Sequence, residues 1–410
     1  MKSTPIPASL FTCNREKLAG SLASGSVAVL RSARRMTRNG DQFYPYRQAS
    51  GFFYLTGINQ EGCILVLCPN HSNPSLRELL FIPKSSAKSE LWSGPSLTRK
   101  EAEVLSGIKE IRWEDEADSF LGQMLPGATA VYADQKDSLE RDQDLSPLSP
   151  HIDRLRMVKE PEELEEMKKA IRITRSAFLK VLEGVKPGNM EYELEAEITA
   201  EFVRKGAEGH AYEPIVASGR NALILHYIQN QNRCLDGQLI LMDFGAEVNN
   251  YAADCSRTIP VNGKFSRRQR DLYEATHRVF KQAVKLMVPG VAMADFHNKV
   301  GALWEEEHLR LGLYSSSDVA ARPASDPLWK NYYMHGTSHS LGLDVHDPFD
   351  RTQPFLPGMV LTCEPAIYLP EEGIGIRLEN DILITEDQPV DLMSEIPIEA
   401  DHIEELMASK

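Results

Sequence analysis

Four carboxylates and one histidine in the second half of the chain most constrain how it can fold. Asp243 directly follows the apolar run Leu-Ile-Leu-Met, and Glu379 lies in the largely apolar run GIGIRLENDILIT. Burying such a carboxylate costs several kcal/mol unless a cation or a dense hydrogen-bond network accompanies it. The remaining members of the set are Asp254 in YAADCSRT, His339 in HGTSHSLGLDVHD and Glu364 in LTCEPAIY. The fold must therefore supply partners for these groups, and bound cations would do so.

The runs LILMDFGAEV and YAADCSRTIPV predict two strands of a β-hairpin. They are joined by Asn249 and Asn250, and asparagine suits a tight hairpin turn. If these two residues form the loop, Asp243 pairs with Ser256, and Asp254 lies two residues from Ser256. Because side chains alternate between the faces of a strand, the hairpin then presents both carboxylates on one side.

A second hairpin is predicted from VLTCEPAIYL and GIGIRLENDILIT, linked through PEEGIG, and it lets Glu364 and Glu379 converge in the same way. Carboxylate-rich ligation with one imidazole and no sulfur favours a pair of Mn²⁺, Fe²⁺, Co²⁺ or Zn²⁺ ions over a structural zinc site. Two such ions held about 3.5–4 Å apart can share a hydroxide that attacks an amide carbonyl. The pattern therefore predicts a metal-dependent hydrolase.

Histidines cluster in HGTSHSLGLDVHD, which contains His335, His339 and His346. Two histidines four residues apart also fit one face of a helix, as in zinc peptidases. The glutamate of that HExxH motif is missing, and the run is a poor helix former. We therefore interpret His339 as the ligand and the other two as supporting residues. His226, in LILHYIQNQ, is a further candidate, with a hydrogen-bonded core histidine as the alternative.

The chain is predicted to be α/β (α+β), with a mixed α/β domain at 1–155 and a second domain at 156–410. In the first domain, strands are expected at SVAVLRSA, FFYLTG, CILVLCP and LLFIPK, and helices at RKEAEVLSGI and ADSFLGQML. The polar stretch DSLERDQDLSPLSPHIDRLR is the candidate boundary region.

The second domain shows an internal repeat. A long amphipathic helix that begins at EPEELEEM ends at Pro187-Gly188, and a second helix follows. The same order recurs around Pro289-Gly290, and in both copies strands carrying carboxylates come next. The alternative is that this order recurs by chance, because Pro-Gly is common after helices. The order predicts a domain built from two related halves.

Composition excludes several classes of protein. The 59 acidic residues outnumber 45 basic ones, giving a net charge of −14, which argues against a nucleic-acid-binding surface. No apolar run approaches the roughly 18 residues of a membrane span, and the N-terminus lacks a convincing signal peptide. The six cysteines are scattered without a CxxC pair. Free thiols in a reducing cytoplasm are therefore expected.

These motifs together resemble those of the pita-bread metallopeptidases, and within them the aminopeptidase P (Xaa-Pro aminopeptidase) group. The stretch TRNGDQFYPYRQASGFFYLTGINQEG is similar to that group's N-terminal domain, so the resemblance covers nearly the whole chain. It implies a C-terminal pita-bread domain with a pseudo-two-fold repeat. It also implies release of the N-terminal residue from peptides with proline at the second position. Two divalent ions, most often Mn²⁺, and a homodimer or homotetramer are implied as well.

The resemblance assigns roles to the five ligands. Asp243 and Asp254 would bind one metal ion, with Asp254 bridging to the other. His339 and Glu364 would bind the second ion, and Glu379 would also bridge. Glu364 would in addition act as the proton shuttle between the attacking water and the leaving prolyl nitrogen.

The resemblance also implies residues that contact the substrate. His226 and His346 match histidines that stabilise charge on the carbonyl oxygen. His335 matches a residue lining the proline pocket, Arg377 matches an arginine that supports it, and Tyr368 is expected to contact the substrate.

Two expected substrate residues lie in the first domain. Asp41 matches an acidic residue that a neighbouring subunit contributes, where it would suit the substrate's ammonium group. The alternative is that Asp41 is simply a solvent-exposed acid in a loop. Trp92 stands where the group has Trp-x-Gly followed by basic residues. Here the run is Trp92-Ser-Gly-Pro-Ser, which departs from that pattern.

Two other functions are alternatives to the aminopeptidase activity. A prolidase shares the fold and the ligands but cleaves Xaa-Pro dipeptides, and the YPYRQ segment favours the aminopeptidase instead. A catalytically inactive pita-bread module would bind peptides or proteins, but such relatives lose the metal ligands, and all five are present here. A metal-free relative that acts on creatine is excluded for the same reason.

Overall fold

A computed structural model describes residues 4–134 and 144–409, and the chain divides into two compact units at Arg156 and Met157. Part of the candidate boundary stretch, residues 135–143, lies outside the described residues. Among the helices that are described, none is both long and apolar enough to cross a membrane.

The N-terminal unit is a mixed sheet flanked by short helices. Its α-helices α1 to α6 span Ala8–Ser21, Ser50–Thr56, Ala87–Ser93, Arg99–Ser106, Ala117–Met124 and Ser149–Arg156. Its strands β1 to β8 span Val27–Arg31, Thr37–Asn39, Gln42–Phe43, Ile64–Leu67, Glu78–Ile82, Glu110–Trp113, Val131–Tyr132 and Leu145–Ser146. The main sheet has the order β6-β5-β4-β1-β7-β8, and β2 and β3 form a separate exposed hairpin.

One expectation for this unit is wrong. The run FFYLTG was expected as a strand, but it lies in the helix α2, Ser50–Thr56. Its residues Phe52 to Thr56 are all buried, so the aromatic side chains pack on all sides of the helix and not on the face of a sheet. Gly57 ends the helix at φ 64°, and a Cβ there would come within 2.2 Å of Phe11. Tertiary packing therefore overrides the β propensity of the aromatic run.

The C-terminal unit pairs helices with small antiparallel sheets. Its helices α7 to α12 span Pro161–Gly184, Glu191–Arg204, Arg267–Leu286, Met293–Arg310, Ser316–Ala320 and Ala400–Ala408. Strands β9 to β14 span Gly209–His210, Ile215–Ser218, Leu239–Asp243, Ala246–Val248, Tyr251–Ala252 and Ser256–Pro260. Strands β15 to β19 span Val360–Cys363, Ala366–Leu369, Ile374–Arg377, Asn380–Leu383 and Val390–Asp391.

The expected repeat is present in this unit. Helix α7 packs against α8, and α9 packs against α10. The first pair precedes the sheet β10-β11-β14, and the second precedes the sheet β15-β18-β19. In each half a hairpin, β12-β13 or β16-β17, continues the ladder of the two strands that flank it, β11-β14 or β15-β18. This is the two-halved arrangement of a pita-bread domain, and it confirms the predicted fold class.

The first hairpin has the register predicted from the sequence. Asn249 and Asn250 adopt φ values of 49° and 65°, as a tight two-residue hairpin turn requires. Asp243 pairs with Ser256 in the β11-β14 ladder. Gly245 lies where the strand is interrupted, and a Cβ there would come within 1.7 Å of the Ala253 carbonyl oxygen. The turn thus sets a register that persists across the interruption.

Candidate active site

Asp243 and Asp254 meet where the ladder of the first hairpin is interrupted, between β11-β14 and β12-β13. The hydroxyl of Tyr212 lies 2.6 Å from Oδ1 of Asp243 and 2.6 Å from Oδ1 of Asp254. This phenol has one proton, so it can donate to only one of the two carboxylates at a time. The contact shows that both carboxylates project to the same side, as the hairpin parity predicted.

Glu364 and Glu379 lie across from each other at the matching point of the second hairpin. Cys363 pairs with Asn380 in one ladder, and Ala366 pairs with Arg377 in the next. Glu364 directly follows the first of these strands, and Glu379 directly precedes its partner.

The two hairpins are joined through Glu379. The Ser256 hydroxyl donates to Oε2 of Glu379 over 2.6 Å. The backbone amide of Glu379 donates to the Ser256 carbonyl over 3.1 Å. The carboxylates of both halves therefore belong to one site.

His339 supplies the imidazole at the centre of this site. Its Nε2 lies 3.4 Å from Oδ2 of Asp254 and 3.9 Å from Oε1 of Glu364. One ligand atom each from His339, Asp254 and Glu379 lies within 4.8 Å of the others. Its loop is not helical, and the His339 amide is held by the Thr362 hydroxyl at 3.1 Å. The helical HExxH-like alternative is therefore wrong.

The electrostatics of the site fit a cation. Burial raises the pKa of Asp243 to about 6 and that of Glu364 to about 7, and it raises the pKa of Glu379 well above its usual range. Burial alone would lower the pKa of His339, but its hydrogen bond to Asp254 and the nearby carboxylates raise it to about 9. Oxygen donors with one imidazole suit divalent ions such as Mn²⁺, Co²⁺, Fe²⁺ or Zn²⁺. The residues present therefore fit divalent metal binding.

Arg377 is buried and connects several members of the site. Its Nη2 donates to Oδ2 of Asp243 over 2.6 Å, and its Nε donates to the Ser256 hydroxyl over 2.8 Å. Its Nη1 donates to the Tyr368 hydroxyl over 3.0 Å. The Tyr368 hydroxyl in turn lies 3.0 Å from Nε2 of His335. Arg377 thus links a candidate ligand to the predicted proline pocket.

The other histidines lie around the same cluster. The ring of His346 lies 4.2 Å from that of His339, centroid to centroid. Nδ1 of His335 lies 3.6 Å from Oε2 of Glu364. His226 is exposed, so it is not the core histidine of the alternative interpretation. It lies close enough to His335 and His346 to influence the pKa of each.

Asp41 and Trp92 belong to the N-terminal unit. Asp41 is exposed in the turn between β2 and β3, where its Oδ1 accepts a hydrogen bond from the Gln42 side chain. Trp92 lies in α3 with 80% of its surface exposed. Both side chains are available to solvent.

Two residues of the site were not identified from the sequence. Tyr212 lies in a polar turn 31 residues from Asp243, and nothing in its local pattern marks it. Asp381 is completely buried, and its Oδ2 accepts from the amide of Asp254 over 3.3 Å. Its position two residues after Glu379, on the same face of a strand, was the available signal.

Comparison with known proteins identifies the family. Residues 165–386 match the model of metallopeptidase family M24, and residues 11–132 match that of the aminopeptidase P N-terminal domain. The chain is 35% identical to an Escherichia coli K12 Xaa-Pro aminopeptidase over 97% of each chain. It is 31% identical to human Xaa-Pro aminopeptidase 3, over 97% of this chain and 84% of that protein.

Solved structures agree with these matches. A glutamate-to-alanine variant of E. coli aminopeptidase P in complex with substrate superposes with a TM-score of 0.91, at 32% identity and 99% coverage of each chain. Proline aminopeptidase P II from Yersinia pestis gives 0.89 at 32% identity, over 98% of this chain and 100% of that one. The chain therefore belongs to metallopeptidase family M24 and carries the aminopeptidase P N-terminal domain ahead of its peptidase domain.

Proposed function

We propose that this chain is a Xaa-Pro aminopeptidase, which hydrolyses the amide bond between the first residue of a peptide and a proline at the second position. The observation that carries the proposal is the convergence of Asp254, His339 and Glu379, from both halves of the C-terminal unit, within 4.8 Å. Family membership and the names of its relatives support the same activity.

Two divalent ions are the proposed cofactors, with Mn²⁺ as the first choice. Asp243, Asp254, His339, Glu364 and Glu379 would hold them. When bound, the ions supply a hydroxide nucleophile at neutral pH and polarise the scissile carbonyl. In this assignment Asp254 and Glu379, which lie at the junction of the two hairpins, would help to hold the ions.

Glu364 is proposed to move the proton. A carboxylate beside the attacking water can accept its proton and pass it to the leaving nitrogen. Its Oε2 faces His335, which borders the predicted proline pocket, so the leaving prolyl nitrogen would lie on that side. His226 and His346 would stabilise charge on the carbonyl oxygen.

The proline pocket is proposed to include His335, Tyr368 and Arg377. Tyr368 is held between the other two by hydrogen bonds of 3.0 Å each. These contacts fix the position of the tyrosine hydroxyl, so the pocket would be rigid before the substrate arrives. A rigid pocket suits proline, whose own shape is fixed.

Asp41 and Trp92 are proposed to act on the active site of a neighbouring subunit in a homodimer or homotetramer. The exposure of both side chains supports this role.

We further propose that the domains are 1–155 and 156–410. A cytoplasmic location is proposed as well, since all six cysteines are free.

The test is a metal-titrated peptidase assay on peptides of increasing length. The purified chain, freed of metal and then given Mn²⁺, Co²⁺ or Zn²⁺, is assayed with Gly-Pro-Ala, Gly-Pro and Gly-Ala-Ala. We expect release of glycine from Gly-Pro-Ala, with little activity on Gly-Ala-Ala. Faster hydrolysis of Gly-Pro would assign the chain to the prolidases, and no hydrolysis with any ion would favour a binding module.

A further inference from the structure

Glu191, the first residue of α8, is a completely buried carboxylate with an unusually dense set of donors. Its Oε1 accepts from the Ser218 amide and hydroxyl, each at 2.7 Å, and from the Asn221 side chain at 2.9 Å. Its Oε2 accepts from the Tyr227 hydroxyl and the Asn232 amide, each at 2.8 Å. Such a set of donors replaces the water that a buried carboxylate loses.

These donors lie on both sides of His226 along the chain. Ser218 and Asn221 precede it, whereas Tyr227 and Asn232 follow it. The Glu191 amide also donates to the Asn232 carbonyl over 2.9 Å. A single side chain therefore closes the segment 218–232 into a loop.

His226 depends on this loop for its position. The residue lies in a turn outside any helix or strand, and its side chain is exposed. Its neighbour Tyr227 is buried and hydrogen-bonded to Glu191, which fixes the backbone at the histidine. The imidazole is consequently directed by the backbone that Glu191 holds.

We propose that Glu191 is a positioning residue for peptide cleavage, because it holds the segment that presents His226 to the scissile carbonyl. The proposal rests on the proposed function of this chain and of His226. Glu191 itself touches neither the candidate ligands nor the predicted proline pocket in the contacts described above.

The Glu191→Gln variant tests the charge and acceptor pattern with minimal change of shape. Each carboxylate oxygen accepts from a backbone amide, Ser218 on one side and Asn232 on the other. A backbone amide cannot become an acceptor, so glutamine in either orientation places its own NH₂ against one of these donors. The matched control is Glu193→Gln, on the same first turn, whose carboxylate caps Met190 and is exposed.

The experiment combines two independent measurements on the full-length, metal-loaded chain. Hydrogen exchange followed by mass spectrometry reports on peptides covering 216–234, and kcat/KM is measured with Gly-Pro-Ala. We expect faster exchange in that segment and a loss of kcat/KM of about 10²-fold for Glu191→Gln, as a misplacement of roughly 1 Å produces. Glu193→Gln should change neither. In a His226→Ala background, Glu191→Gln should cause little further loss.

Different outcomes separate the failure of this proposal from failure of the proposed function. If Glu191→Gln leaves exchange in 216–234 unchanged, or if its loss of kcat/KM multiplies fully with that of His226→Ala, the positioning role is wrong. If the wild-type chain cleaves none of the peptides, the proposed function fails, while the exchange result still reports on the loop. Should Glu191→Gln not fold, Tyr227→Phe removes a single donor to Glu191, together with the acceptor of the Gln231 amide. It should show a smaller change of both quantities, and unchanged values would overturn the proposal.

Discussion

Arg377 donates a hydrogen bond from Nη2 to Oδ2 of Asp243 over 2.6 Å, although 134 residues separate them. The pair joins β17 in the second half of the domain to the end of β11 in the first. A candidate metal ligand is thus oriented by a residue from the opposite half. Outer contacts of this kind fix the direction of a ligand and tune its affinity for metal.

Arg377→Lys should weaken both metal binding and catalysis. A lysine ammonium cannot reach Asp243, Ser256 and Tyr368 together, as the planar guanidinium does. We expect metal affinity, measured by competition with a chelator, and kcat/KM each to fall about 10- to 100-fold. Arg268→Lys, in a surface ion pair with Glu372, is the control and should leave both unchanged. If Arg377→Lys binds metal as tightly as the wild type, Arg377 does not support the metal ligands.

Glu364→Gln should abolish turnover while the fold remains intact. The glutamine keeps the size of the side chain but cannot accept and release the proton at the position 3.6 Å from His335. We expect kcat to fall at least about 10²-fold, the lower end of what proton transfer contributes. Circular dichroism and the melting temperature should stay close to those of the wild type. Near-wild-type kcat would exclude Glu364 from the mechanism, and Glu371→Gln, on the exposed link between β16 and β17, serves as the control.

Removal of metal should destabilise the chain as well as inactivate it. The carboxylates of the site outnumber the cations Arg377 and His339 that contact them among the described residues, so bound ions would offset their repulsion. Binding to the folded state alone adds about 2.7 kcal/mol when the free ion is at 100 times its Kd. Calorimetry should therefore show a lower melting temperature after chelation, restored by Mn²⁺. An unchanged melting temperature would contradict metal binding at this site.

Glu163 gives the stability of the chain a specific dependence on pH. It lies in the first turn of α7, where its carboxylate accepts from the Glu160 amide at 2.9 Å and the Tyr251 hydroxyl at 3.0 Å. Burial raises its pKa to about 7 from the ordinary 4.5. The folded state therefore binds the proton more tightly, and its free energy of unfolding falls as the pH rises from about 4.5 to about 7.

Glu163→Gln should remove this dependence. We expect the variant to be more stable than the wild type at pH 8, by at most about 3 kcal/mol, with the difference vanishing below about pH 4.5. Urea unfolding at a series of pH values measures this. Glu165→Gln, on the same helix and largely exposed, should show no gain at pH 8, because its ion pair with Lys168 lowers the pKa of that carboxyl. If the free energy of unfolding depends on pH in the same way in Glu163→Gln and in the wild type, Glu163 is ionised in the folded chain at neutral pH without loss of stability.

Much of the candidate site could be predicted because its geometry is local. The two asparagines of the turn set the register that pairs Asp243 with Ser256, and a two-residue periodicity then decides the face of Asp254. The same alternation places Asp381 on the face of Glu379. Local patterns failed for the run FFYLTG in the first domain. Its composition favours a strand, yet packing on all sides makes it a helix.

The sequence by itself determined the candidate ligands, the hairpin that delivers Asp243 and Asp254, and the repeated helix pairs. These follow from turn chemistry, side-chain periodicity and the cost of burying charge, which act over a few residues. Only the tertiary structure decided that Tyr212 stands between the two aspartates, that Arg377 reaches Asp243, and that Glu191 holds the loop of His226. Those contacts join residues that are 31 to 134 positions apart. The Arg377 contact exists because the two halves of the domain pack together, and the other contacts exist because elements within the first half pack against each other. No local pattern encodes which side chains then meet.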